Sequence, residues 1–127
     1  MFRVFAPLRQ AVKLSTGITG LEVHPNPIPA LAETYRSTLS LVQKSLPEAS
    51  AYRQSVEALA KARLAIVEAA EPTNAIEKVE QEIGQGQIEE VIVAAKSELG
   101  LVAKMIEWKA WEPLEVKPAP GQWKYFD

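Results

Sequence analysis

The stretch GQIEEVIVAAKSELGLVAKMIEWKAWEPL, from Gly86 to Leu114, decides the fold of this chain. Its apolar residues are separated by steps of four and three, which places them along one face of an α-helix. A second apolar stripe flanks the first, so the apolar arc is wider than packing on one neighbour requires. The sequence therefore predicts a long helix that is covered on more than one side. The main stripe consists of Ile88, Ile92, Ala95, Leu99, Val102 and Ile106.

The ends of this long helix have recognisable signals. Gly86 is predicted as its N-cap, and Glu89 and Glu90 follow in the first turn, where the helix dipole favours carboxylates. Pro113 is predicted to stop the helix, because proline lacks the N–H that a helix interior needs.

Shorter helices are predicted upstream. The first begins near Pro29, because proline suits the first turn, and continues to about Lys44. The motif SLPE at residues 45–48 has the pattern of a capping box, in which a serine oxygen and a glutamate satisfy the first N–H groups. A second helix is therefore predicted to begin at that motif and to run to about Ala70.

Pro72 is predicted to break the chain after the second helix, and Thr73 or Asn74 to cap a short third helix. Together the helices predict an all-α fold, a small antiparallel bundle of three to four helices over residues 29–112 with the long helix at its centre. The expected core includes Leu39, Val42, Val56, Leu59, Ile92, Leu99 and Val102.

Extended arms are predicted at both ends of the bundle. Residues 1–28 form a basic, proline-rich arm, and its first twenty residues contain three cations and no acid. That composition is typical of a mitochondrial targeting segment, retained here rather than cleaved; the alternative, which is compatible with it, is a basic arm that contacts a partner. Residues 113–127 form an extended aromatic tail, because Pro118, Pro120 and Gly121 exclude regular structure.

The composition excludes most chemistry. The 127 residues contain no cysteine and a single histidine, and the formal net charge is −2. Thiolate metal sites and a basic field for nucleic acid are therefore absent, and no apolar run reaches the ~20 residues that span a bilayer. We expect no metal, no cofactor, no small-molecule substrate and no enzymatic activity. A solvated acidic face is the expected role of Glu77, Glu80, Glu82, Glu89 and Glu90.

Three tryptophans lie in the last twenty residues, two of them in the segment EWKAWEP. Large aromatics with a polar N–H are favoured where an apolar body is buried and one edge stays hydrogen-bonded. The segment is therefore predicted to anchor the chain to a partner; the alternative is that Trp108 and Trp111 cap the open end of the bundle. The predicted partner-binding residues are Trp108, Lys109, Trp111, Glu112, Pro113 and Trp123.

The segments GQIEEVI, AKSELGLVAKM and EWKAWEPL resemble accessory subunits of mitochondrial respiratory complex I, the alpha subcomplex subunit 5 family. Weaker matches in the same order are TGITGL, AYR, the turn ending in EP, and QWK. The resemblance implies a non-catalytic subunit of NADH:ubiquinone oxidoreductase without redox centres. It also implies a peripheral position on the matrix side of the inner membrane, on the matrix arm near the quinone-reducing module, with core and accessory subunits of that arm as partners.

A second mitochondrial class remains as an alternative. Helical adaptors with a Leu-Tyr-Arg motif bind acyl carrier protein, and Thr34-Tyr35-Arg36 supplies the tyrosine and arginine but not the leucine. The simpler interpretation is that Tyr35 belongs to the core and that Arg36 is solvated.

Overall fold

A computed structural model of the chain describes residues 13–71 and 73–126. Within those residues the chain forms four helices and no strand, which confirms the predicted all-α bundle. The helices are α1 (Pro27–Ser45), α2 (Ala51–Ala69), α3 (Ala75–Ile83) and α4 (Ile88–Trp108). Most of the targeting-type sequence, residues 1–12, lies outside the described residues, as does Pro72, the predicted helix breaker.

The central helix of the bundle is α1 and not the long helix α4, so that expectation is wrong. α1 packs against both α2 and α4, whereas no Cα atom of α2 comes within 8 Å of one in α4. Two buried threonines explain why the apolar pattern of α1 predicts less buried surface than the helix has. Thr34 donates to the carbonyl oxygen of Ala30 at 2.8 Å, and Thr38 donates to that of Thr34 at 2.9 Å. Their hydroxyls are satisfied within the helix, so polar residues occupy buried positions.

Two apolar clusters fix the directions of the helices. The first joins Leu31 and Tyr35 near the start of α1 to Val67 near the end of α2 and Ile88 at the start of α4. The second joins the end of α1, the start of α2 and the later part of α4 through Val42, Leu46, Val56 and Val102. Consequently α2 runs antiparallel to α1, whereas α4 runs in the same direction as α1.

The second helix begins later than predicted. Its N-cap is Ser50, whose side-chain oxygen accepts from the N–H of Arg53 at 3.4 Å. Ser45 does not cap α2 because it is the last residue of α1. Leu46 then packs in the second cluster, and its N–H reaches the carbonyl of Val42 at 3.1 Å. Burial of Leu46 therefore overrode the local capping pattern.

Both predicted limits of the long helix are also corrected. Gln87, not Gly86, is the N-cap of α4, and its N–H donates to a Glu90 carboxylate oxygen at 2.8 Å. Gly86 supplies a positive φ of 84°, and a Cβ there would collide with the same carboxylate. At the other end Lys109 adopts the left-handed conformation, so the helix closes four residues before Pro113.

Four of the expected core residues, Val42, Val56, Ile92 and Val102, are buried as predicted. Leu39 and Leu99 are only half-buried. The prediction that Leu59 lies in the core is wrong, because Leu59 is 47% exposed. The adjacent Ala60 takes the buried position. A small side chain there lets α2 approach α1 closely, which turns Leu59 outward.

Candidate partner interface

The predicted partner-binding segment begins at the exposed end of α4. Trp108 is the last helical residue, and its side chain is 62% exposed. Lys109 has a φ of 49°, and the N–H of Glu112 donates to its carbonyl oxygen at 2.9 Å. This turn redirects the chain away from the helix axis. Lys109, Glu112 and Pro113 are all exposed around it.

Trp111 has a different environment from Trp108. It is half-buried and packs against the second cluster, which contains Val42, Leu46, Val56 and Val102. The helix ends before Trp111, so the two tryptophans do not share a helical face. Trp111 covers the end of the bundle, and Trp108 stays available on the outside.

The tail after Pro113 leaves its apolar side chains in solvent. Phe126 is 96% exposed, and every other large apolar side chain from residue 114 to 126 is also exposed. Two overlapping turns order part of the tail. Gln122 N–H donates to the Ala119 carbonyl at 3.1 Å, and Lys124 N–H donates to the Gly121 carbonyl at 3.2 Å. Trp123 has a φ of 69°. The exposed side chains are Leu114, Val116, Trp123, Tyr125 and Phe126.

At the opposite end of α4 the N-terminal arm is fastened to the bundle. Lys13 forms a salt bridge with Glu89 and donates to the side-chain oxygen of Gln87 at 2.9 Å. Gln87 in turn donates to the carbonyl oxygen of Thr16 at 2.7 Å, and the N–H of His24 donates to Glu89 at 3.3 Å. We call this set of contacts the arm latch. It orients the described part of the arm across the start of α4.

The prediction of a solvated acidic face is wrong for Glu89, which is only 3% exposed. Glu80 and Glu90 from the same predicted face are half-buried, and each accepts a backbone N–H near the start of α4. Burial alone raises the pKa of Glu89, and the hydrogen bonds from Lys13, from the backbone at the start of α4 and from His24 outweigh it, so the pKa lies below its ordinary value. A carboxylate in a first helical turn was the only signal available, and it does not reveal what covers the helix.

Within residues 13–71 and 73–126, no group of three or more His, Cys, Asp or Glu side chains could hold a metal ion. The helices described in that range are also too short or too polar to cross a bilayer. His24 belongs to a turn, where its Nδ1 atom accepts from the N–H of Asn26 at 3.1 Å.

Comparison with known proteins gives a consistent set of similarities. Residues 20–90 match the family model described as "ETC complex I subunit conserved region". The chain is 46% identical over 111 residues to "NADH dehydrogenase [ubiquinone] 1 alpha subcomplex subunit MCI4" of Candida albicans, an alignment that covers 87% of this chain and 78% of the relative.

Animal relatives are similar over the same length. The chain is 44% identical to the "Probable NADH dehydrogenase [ubiquinone] 1 alpha subcomplex subunit 5" of Caenorhabditis elegans, over 89% of this chain and 73% of that one. It is 40% identical to "NADH dehydrogenase [ubiquinone] 1 alpha subcomplex subunit 5" of Bos taurus, over 90% of this chain and 95% of the relative. The similarity therefore extends over nearly the whole bundle.

Proposed function

Because the chain belongs to the complex I alpha subcomplex subunit 5 family, we propose that it stabilises the matrix arm of mitochondrial complex I near the quinone-reducing module. The chain is a non-catalytic accessory subunit of the mitochondrial respiratory chain and not itself an enzyme. Its place is peripheral, on the matrix side of the inner membrane. It acts there through protein contacts with core and accessory subunits of the arm.

The observation that carries this proposal is the exposed apolar tail. Six large apolar side chains from Trp108 to Phe126 are exposed in a chain whose bundle has its own closed core. Exposed apolar groups that are clustered in this way mark an interaction surface. An extended tail adds contact area on a partner with few residues. Trp108, Lys109, Glu112, Pro113 and Trp123 supply the outer contacts in this proposal, and Trp111 holds the turn that presents them.

An acyl carrier protein adaptor remains the second candidate, but the leucine of its motif is missing before Tyr35 and Arg36. Tyr35 is buried in the first cluster, and Arg36 forms an exposed ion pair with Glu68 at 2.7 Å. The simpler interpretation of these two residues is confirmed. Co-purification with a phosphopantetheine-carrying protein, in place of a respiratory complex, would favour the adaptor.

Deleting the gene should reduce the amount of assembled complex I and leave the turnover of each remaining complex unchanged. A subunit that contributes only contacts changes assembly by mass action. The measurement combines native gel electrophoresis of solubilised mitochondria with NADH:ubiquinone activity, normalised to the amount of assembled complex. A normal amount of complex with a selectively lost hydride or quinone step would contradict the proposal.

Trp108→Ala and Trp123→Ala should each weaken binding to the complex by more than about 2 kcal/mol, because exposed tryptophans at an interface are typical hot spots. The melting temperature of the isolated full chain should stay unchanged for both. Trp111→Ala should also lower the free energy of unfolding of the isolated chain, by about 1 to 2 kcal/mol. Truncating a fully buried tryptophan costs about 3 to 5 kcal/mol, and Trp111 is only half-buried.

Val93→Ala is the matched control, because Val93 is an exposed apolar residue of α4 outside the segment. It should change neither incorporation nor melting. Normal incorporation of both Trp108→Ala and Trp123→Ala into the complex would show that these tryptophans do not contribute to binding.

A further inference from the structure

A groove separates α2 from α4, with α1 as its floor. Its volume is about 210 Å³, and we define this α2–α4 groove by Tyr35, Ala60, Arg63, Ala94, Ala95 and Glu98. The groove exists because the backbones of α2 and α4 stay apart and because three of its lining side chains are alanines. Leu59 stands exposed on the α2 side and adds an apolar wall.

The Tyr35 hydroxyl in this groove is unusual because it is buried and, within residues 13–71 and 73–126, its proton has no acceptor. Tyr35 is only 4% exposed, and among the described residues no acceptor lies within hydrogen-bond geometry of its hydroxyl proton. The neighbouring Thr38 hydroxyl, also buried, is satisfied by its own helix. A buried polar atom is normally paired, so an unpaired hydroxyl that lines a groove indicates a group that enters from outside.

Arg63 is the second donor at the same place. The other two cations of α2 have an acidic partner: the side-chain nitrogens of Lys61 and Arg53 lie 2.6 Å and 3.4 Å from the carboxylate of Glu57. These bonds, with one from Gln43, hold the pKa of Glu57 at about 2. In the part of the chain that the structure describes, Arg63 makes no ion pair. Burial raises the pKa of the Tyr35 phenol, and Arg63 opposes this rise by a side-chain hydrogen bond and by its charge, so the guanidinium lies beside the phenol oxygen. A guanidinium has no acceptor atom, so the Tyr35 proton remains without an acceptor on the described part of the chain.

The acidic residue that lines the groove, Glu98, already has a hydrogen-bond partner. The hydroxyl of Tyr52 donates to Glu98 at 2.6 Å. The groove therefore contains one carboxylate that is already hydrogen-bonded, together with the Arg63 guanidinium and the Tyr35 hydroxyl.

We propose that a neighbouring subunit of the complex inserts an aspartate or glutamate side chain into the α2–α4 groove, where it accepts hydrogen bonds from Tyr35 and Arg63. A carboxylate is the group that fits, because it has acceptor sites for both donors and matches the planar fork of a guanidinium. The apolar stem of that side chain lies between Leu59 and the alanines. This inference rests on the proposed function, since the carboxylate comes from a subunit of that complex.

The first test measures competition for incorporation. Each variant is co-expressed with tagged wild type in cells that lack the natural chain, and the ratio of the two in purified complex is divided by their ratio in total protein. Tyr35→Phe and Arg63→Gln should each lower this quotient about tenfold, the effect of one hydrogen bond to a charged group. Arg36→Gln is the control, because Arg36 makes an exposed ion pair outside the groove; it should leave the quotient near one.

Thermal melting separates binding from folding. The isolated full chain with Tyr35→Phe should melt at the same or a higher temperature than wild type, because the change removes an unpaired buried hydroxyl. Weaker incorporation together with equal or higher melting supports the groove. A lower melting temperature for Tyr35→Phe would show that the hydroxyl is satisfied within the isolated chain, which contradicts the proposal.

A second test identifies the carboxylate directly. Arg63→Lys places an amine in the groove, and a zero-length carbodiimide should join it to an aspartate or glutamate of another subunit in the purified complex. Arg36→Lys, as control, should react only with Glu68 of its own chain. A product between residue 63 and Glu98, or no product with another subunit, would show that solvent fills the groove.

The two proposals fail in different ways. If wild-type chain does not migrate with complex I, the proposed function is wrong and this inference falls with it. If wild type is incorporated but Tyr35→Phe and Arg63→Gln compete as well as wild type, only the groove proposal is wrong.

Discussion

Ile92→Ala should lower the free energy of unfolding of the isolated chain by about 2 to 5 kcal/mol, the usual cost of removing a large buried aliphatic side chain. Ile92 is buried in the first cluster beside Val91 and Ala95, where α4 meets α1. The truncation leaves a cavity, and the neighbouring helices cannot fill it completely because other contacts hold them in place. For a small bundle this loss is a large part of a total stability of roughly 5 to 15 kcal/mol.

Chemical denaturation of the purified full chain measures this effect, and Val93→Ala supplies the matched control. Val93 lies one residue further along α4 and is half exposed, so its truncation should cost well under 1 kcal/mol. Leu99 is half-buried, so the stability loss caused by Leu99→Ala should lie between the losses caused by Ile92→Ala and Val93→Ala. Equal free energies of unfolding for Ile92→Ala and Val93→Ala would show that the face of α4 containing Ile92 does not pack against α1.

Lys13→Met should destabilise the isolated chain by about 3 kcal/mol, because it leaves the buried Glu89 carboxylate without its cationic partner. The value is near the low end for a broken buried pair, since Lys13 is 34% exposed and Glu89 keeps the bond from His24. Adding Glu89→Gln should restore part of the loss, because a neutral amide needs no counter-charge. Denaturation of the single and double variants measures the coupling.

The same pair predicts a dependence on pH. The folded-state pKa of Glu89 lies below its ordinary value of 4.5, so its stabilising contribution is complete above that value and is lost as the pH falls through the folded-state pKa. The stability difference between wild type and Lys13→Met should therefore be largest near neutral pH and shrink in acid. A difference that grows in acid, or unchanged hydrogen exchange in residues 13–24 of Lys13→Met, would contradict the arm latch.

Much of the helical framework could be predicted from the sequence. The apolar stripe from Ile88 to Val102 is long and periodic, and α4 occupies Ile88–Trp108, close to the predicted span. The start of α1 at Pro27 lies two residues before the predicted Pro29. Such signals are local, because a helix forms from the spacing of its own apolar residues and from the fixed φ of proline.

The errors share one cause, which is competition from contacts distant in sequence. SLPE at residues 45–48 is a sound capping pattern, but burial of Leu46 against Val42 and Val102 extends α1 through Ser45. Leu59 has the right spacing for a core residue, yet the close approach of α2 at Ala60 turns it outward. Local patterns cannot weigh the packing energy of a neighbouring helix.

The sequence by itself determined the all-α class, the family resemblance and the concentration of tryptophans near the end of the chain, because periodicity and composition are properties of the chain alone. Only the tertiary structure decided that α1 lies at the centre, that Glu89 is buried under the N-terminal arm, and that Tyr35 and Arg63 line the same groove. Each of these places together residues from different helices or from the arm. Their energies depend on the solvent that the neighbouring element excludes, and no local pattern of residues encodes that exclusion.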